Sequence, residues 1–261
     1  MKILEWKPFE NIVAGTTLRH GGVSEGSLSS LNLALNVNDK IENVIENRKI
    51  LATYLNTNFE HMVSPTQTHS TNLKKVDLSD GGKGMYGLED AINDTDALYT
   101  KEEDLFLLSY HADCTPVLLY ESNQHLIASI HAGWKGNVNE IILKTLRYLK
   151  ENENINPSFI HAYIGPCLSY DAFEARDDII TLVNQMEINS KQYYHEVSKG
   201  VYKLDAKGLA KEQLLHFGVP EHQITISSHC TKTETNDFFS YRNDKACGRH
   251  VSFISMKRAD K

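Results

Sequence analysis

The hydrophobic positions of this 261-residue chain fall into short runs that stop at polar or reactive residues. "HMVSPTQTHS" leads to His69, and "DALYT" follows Asp94 and Asp96. "LFLLSYHADCTPVLLY" is two apolar halves around His111, Asp113 and Cys114. "HLIASIHAGW" runs to His131, "FIHAYIGPC" ends at Cys167, "QITISSHCT" ends at His229 and Cys230, and "FFSYRND" precedes Cys247. Runs of this kind predict buried strands whose ends carry chemistry. Helical spacing shows elsewhere. "IENVIENRKILATYLN" puts Ile41, Val44, Ile45, Leu51 and Leu55 on one side, with Asp39 near the start as a cap. Arg48 shares that apolar side, an unusual place for a charge. Further helices are predicted at 138–150, 171–186 and 205–217, and the Gly, Ser and Asn of residues 15–40 predict an ordered loop with turns. Strands and helices mix without strict alternation, and neither a repeat nor a linker divides the chain. The pattern predicts one α+β domain with mixed sheets over residues 1–261.

Composition narrows the function. A hydrophobic fraction of 41% and a charged fraction of 23% belong to an ordinary globular chain with a sizeable core. The formal charge of −7 argues against nucleic acid or an anionic membrane as a whole-surface partner, leaving room for a local basic pocket for one phosphate. No apolar window approaches a membrane span, and Glu5, Lys7 and Pro8 break the N-terminal stretch, so a cytoplasmic location is expected. The four cysteines are scattered, without a Cys-x-x-Cys pair, and are expected as thiols or metal ligands.

His69, Cys114 and His131 are good zinc ligands, and three protein ligands leave a position for water or substrate. They lack the local spacing of a zinc finger, and strand ends would have to bring them together. Each also has a plain reading, the histidines as hydrogen-bonded polar residues and Cys114 as a small core residue. A Cys114 nucleophile activated by His131 or His69 is a second chemistry, and a blue-copper centre a third, although no methionine lies close in sequence to serve as axial ligand. Asp113 could orient a ligand, carry a proton or cap a strand end. "GWKGN" lacks the Walker spacing, so an ATP-type phosphate loop is rejected. Arg48, Lys135 and Arg242 are candidate phosphate partners, each with a solvated or salt-bridged charge as its ordinary alternative.

In order along the chain stand "RHGGVSEGSLSSLNLALNVND", "NR", "THS", "ADCTPVLL", "HAGWKG", "IGPC" and "FFSYRND…CGR". This series resembles the YfiH-like, laccase-domain family, formerly described as polyphenol oxidases and now as purine nucleoside phosphorylases, from about Thr16 to Arg249. The resemblance implies a layered α/β/β/α domain and a zinc site of His69, Cys114 and His131, with copper as the alternative metal. It implies phosphorolysis of adenosine, inosine, guanosine and methylthioadenosine, with adenosine deamination beside it. Arg48, from "NR", is implied at the phosphate site, with Gln67 before the first ligand. Lys135 stands where many members have arginine. No His-x-Glu surrounds either ligand histidine, which leaves Asp113 as the candidate proton carrier for deamination. The runner-up activity is a Cys114-dependent hydrolase or amidase acting on a cell-wall precursor.

Overall fold

The computed structural model describes residues 1–258. Strands β1 (Ile3–Trp6) and β2 (Ile12–Thr17) open the chain, and α1 (Ile41–Tyr54) follows the Gly/Ser/Asn-rich loop. Next come β3 (Met62–Val63), β4 (Leu73–Lys75), β5 (Ala97–Thr100), β6 (Phe106–His111), β7 (Thr115–Glu121) and β8 (Leu126–Ala132). Helices α2 (Trp134–Val138) and α3 (Ile141–Glu153) lead to β9 (Ile160–Ile164), β10 (Glu174–Arg176) and α4 (Asp177–Val183). The chain closes with β11 (Tyr194–Ser198), β12 (Val201–Leu204), α5 (Ala206–Phe217), β13 (Ile224–Ile226) and β14 (His250–Met256).

Two large mixed sheets run in the orders β1-β2-β14-β6-β3 and β13-β9-β7-β8-β5-β4, and β10-β12-β11 form a small third sheet. Alternation along β7 shows how they stack. Val117 and Leu119 face Ile142 and Leu146 of α3 and Leu214 of α5. Leu118 and Tyr120 face the other way, into a core shared with Trp6 and Ile254 of the first sheet. That sheet's outer face, through Phe106, Leu108 and Phe253, packs on Leu51 of α1 and on Leu55 just beyond it. The result is helix, sheet, sheet, helix. Central strands are therefore buried on both faces, which is why their sequences read as continuous apolar runs.

Three local expectations are corrected. The helix predicted at 138–150 forms as α3 but begins only at Ile141, because Glu140 takes a left-handed φ of 60° that separates it from the short α2 ending at Val138. In the predicted helix 171–186, Glu174–Arg176 instead pair with Val201–Lys203, and α4 begins at Asp177, with Asp177 and Asp178 at its positive end. Asp39 makes no cap to α1. Its Oδ2 accepts from Ser24 Oγ at 2.7 Å and Asn32 Nδ2 at 2.8 Å, pinning the loop before the helix. The helix predicted at 205–217 forms as α5, with the Asp205 side chain accepting from Gly208 N. Among the described residues no helix is long and apolar enough to cross a membrane.

Candidate metal centre

Register at one end of the six-stranded sheet sets the site. β7 and β8 pair Thr115 with Ala132 and Pro116 with His131, so Cys114, just before β7, comes beside the end of β8. On the other side of β8, β5 pairs Ala97 with Ile130, and the Asp96 carbonyl accepts from His131 N at 2.7 Å. β4 starts at Leu73 opposite Ala97, which brings the preceding turn, Thr68 to Ser70, to the same end. His69, Cys114 and His131 thereby converge, with donor atoms all within 4.8 Å of one another. Cys114 Sγ lies 3.6 Å from His69 Nε2. In a tetrahedral zinc site, sulfur and nitrogen ligands stand about 3.6 Å apart, as follows from Zn–S and Zn–N bonds of about 2.3 and 2.0–2.1 Å. The donor set fits zinc in identity, and the Cys114–His69 pair fits it in spacing. Gly133 completes the cradle, since a Cβ there would overlap the His69 ring and come within 3.2 Å of His131 Cε1.

Asp96, buried at 2% exposure, organises these groups. Its Oδ1 accepts from His131 Nδ1 at 2.8 Å and from His69 N at 3.1 Å. Its Oδ2 accepts from Thr68 N at 3.1 Å, Ser70 N at 2.8 Å and Ser70 Oγ at 2.7 Å. A histidine whose Nδ1–H is held this way presents Nε2 to a metal. The same bonds hold His69 in its left-handed conformation, φ 61°, which few non-glycine residues adopt. Burial alone would push the Asp96 carboxyl up, but hydrogen bonds from His131 and Ser70 and the His131 charge outweigh it and bring it to about 2. Burial likewise opposes charge on Cys114 and His131. Their mutual attraction, with Asp96 and His69 assisting, wins, lowering Cys114 to about 6 and raising His131 to about 9.

The cluster forms part of the wall of a cavity of about 460 Å³, lined also by Arg48, Gln67, Tyr110, His111, Tyr241 and Arg249. Arg48 reaches it from α1. Its Nε donates to Leu33 O at 2.8 Å and its Nη1 to Gly84 O at 2.6 Å and Met85 O at 2.9 Å, with the guanidinium over the Tyr110 ring. Gln67 also lines the cavity, but its amide is committed to the Tyr110 backbone: Nε2 donates to the carbonyl at 2.8 Å and Oε1 accepts from N at 2.6 Å. Asp113, beside Cys114, is outside the lining. Its carboxylate accepts from Thr231 Oγ1 at 2.6 Å, Ser240 Oγ at 3.0 Å and Arg242 N at 2.6 Å, tying the Cys114 turn to the segment 231–242. Lys135 is exposed on α2 with its ammonium 5.6 Å from the Trp134 ring centroid, and it does not line the cavity. Arg242 is exposed as well, donating to Glu174 O at 3.3 Å. The structure thus gathers Arg48, Gln67 and the three donors, and leaves Asp113, Lys135 and Arg242 outside.

The family model described as multi-copper polyphenol oxidoreductase laccase matches residues 13–257. The chain belongs to this laccase-domain family. The purine nucleoside phosphorylase YlmD of Bacillus subtilis is 36% identical over 251 residues, covering 96% of this chain and 90% of that protein. A crystal structure of a Bacillus licheniformis hypothetical protein, YfiH, superposes with a TM-score of 0.96 at 35% identity, covering 98% of this chain and 96% of that one. YlmD from Geobacillus stearothermophilus gives a TM-score of 0.94 at 34% identity, with coverages of 97% and 94%. The four-layer arrangement is therefore common to this chain and these laccase-domain relatives.

Proposed function

We propose that the chain is a zinc-dependent, cytoplasmic purine nucleoside phosphorylase. Its substrates in this reading are adenosine, inosine, guanosine and methylthioadenosine, and it deaminates adenosine as a second activity. The observation that carries the reading is the three-donor cluster, His69, Cys114 and His131, forming part of a cavity that also holds Arg48. Relatives named purine nucleoside phosphorylase, alignable over 96% of the chain, support it. Zinc at such a site supplies Lewis acidity toward a water or phosphate oxygen.

In phosphorolysis a phosphate oxygen bonds to the anomeric carbon as the bond to the purine nitrogen breaks, giving base and (methylthio)ribose 1-phosphate. Arg48, fixed through Nε and Nη1, offers its remaining nitrogen to the phosphate, and because it is already positioned it loses little freedom on binding. Gln67 acts by fixing the loop that carries His69 against β6. Asp113 acts by holding the turn of Cys114 through its bonds to Thr231, Ser240 and Arg242, so its part in either reaction is positional. The same two imidazoles and thiolate also suit copper, so metal content and oxygen uptake separate the oxidase reading from this one.

Purified protein should contain about one zinc per chain, and with adenosine and phosphate it should release adenine and ribose 1-phosphate. Zinc-loaded protein that makes no ribose 1-phosphate would sink the phosphorylase assignment. Copper content together with oxygen uptake on phenols would establish the oxidase instead.

A further inference from the structure

We infer that Arg48 and Arg249 together form an oxyanion subsite in the cavity beside the metal cluster, and that its occupant is free inorganic phosphate. The choice of free phosphate rests on the phosphorylase reading, whereas the subsite itself rests on charge and geometry. Arg48 is 2% exposed, and Arg249 is half-buried over the Tyr241 ring, 5.5 Å from its centroid. Both line the same cavity. Leu33 joins them: its carbonyl accepts from Arg48 Nε at 2.8 Å, and its N–H donates to the Arg249 carbonyl at 3.3 Å.

Neither arginine takes part in an ion pair among the described residues. Among them, no aspartate or glutamate lines the cavity. In a chain of net charge −7, two guanidinium groups sharing a carboxylate-free cavity is a concentrated exception. A buried guanidinium without a counter-ion is unfavourable unless its donors are met. Backbone carbonyls meet Nε and Nη1 of Arg48 and Nη1 of Arg249. Nη2 of Arg48, and Nε and Nη2 of Arg249, have no protein acceptor among the described residues. Three N–H-bearing nitrogens held open on a rigid frame suit the several acceptor oxygens of a tetrahedral anion. Lys135, outside the cavity, takes no part.

Titration calorimetry with inorganic phosphate and, separately, with adenosine 5′-monophosphate tests this on wild type, Arg249→Met, Arg249→Lys and Lys135→Met. KM for phosphate and for inosine is measured alongside. Wild type should bind phosphate, and Arg249→Met should weaken that binding and raise the phosphate KM about 10- to 100-fold, as expected for a lost charge-assisted bond. Arg249→Lys, which restores charge without the fork, should fall between them and guards against a folding defect in the methionine variant. Lys135→Met and the inosine KM should stay at wild-type values. Unchanged phosphate affinity in Arg249→Met, or loss in Lys135→Met alone, overturns the subsite. Binding of the monophosphate without binding of phosphate overturns the assignment to free phosphate. If phosphate binding tracks Arg249 while no sugar 1-phosphate forms, the phosphorylase reading falls and the subsite stands.

Discussion

A carboxylate that touches no metal donor atom controls the geometry of two of them. Asp96 accepts from His131 Nδ1 and from three successive backbone N–H groups of the His69 turn. Asn at this position has one acceptor oxygen and an NH₂ that cannot accept, so either the His131 bond or the turn loses its partner. Asp96→Asn is expected to weaken zinc binding about 10- to 100-fold, the usual effect of losing a partner that orients a ligand. Competition with a chromophoric chelator at fixed pH measures it, and an unchanged affinity would remove Asp96 from the site. In the sequence His69, Cys114 and His131 stand out as donor types at strand ends, yet each also reads as an ordinary polar or core residue, and the family's motif blocks are what single them out as a set. Asp96 is not legible there, since its partners meet only once β4, β5 and β8 are in register. Arg249 escaped for the same reason: its neighbours in the cavity come from α1, the 34–36 loop and β6.

At the level of elements, Gln67 does the work of a missing strand. β3 pairs with β6 only through Met62 and Val63, and beyond them the Gln67 amide bonds both the N–H and the carbonyl of Tyr110. Removing it leaves two half-buried backbone groups without those partners, at about 1–3 kcal/mol. Gln67→Ala should therefore lower the urea midpoint and weaken zinc binding while leaving the phosphate KM near wild type. A raised phosphate KM at unchanged stability would instead make the amide a substrate contact. The apolar runs foretold β6, β7, β8 and β9 well, because strands buried on both faces have little polar interruption. Helix boundaries were less legible. The helical period continues through Asn139 and Glu140, yet the backbone breaks there, and the short strand at Glu174–Arg176 exists only because β12 lies beside it.

Across the whole molecule, the two large sheets close over a pair of imidazoles. His111 and His250 face each other in the register of β6 and β14, at 1% and 0% exposure. His111 Nε2 is 2.8 Å from Ser252 Oγ, and His250 Nε2 accepts from Phe239 N at 2.6 Å. Burial, with neighbouring positive charge, holds His250 down to about 3 and His111 well below its ordinary value. The unfolded chain binds these protons near pH 6.5, while the native chain resists them far below that. Their contribution to stability is thus full above pH 6.5 and is lost as pH falls toward the native values, at about 1.4 kcal/mol per pH unit for each histidine. Between pH 6.5 and 5 most carboxylates are still ionised, but the other histidines of the unfolded chain also take up protons there, so the informative quantity is a difference between variants. His250→Gln offers an uncharged acceptor for Phe239 N. It should be less stable than wild type at pH 7, yet lose about 1.4 kcal/mol less per pH unit on acidification, as read from urea unfolding of metal-free protein at half-unit steps. Parallel stability profiles for the two proteins would mean that His250 takes up its proton in the native state, and that the sheets do not exclude charge from this point.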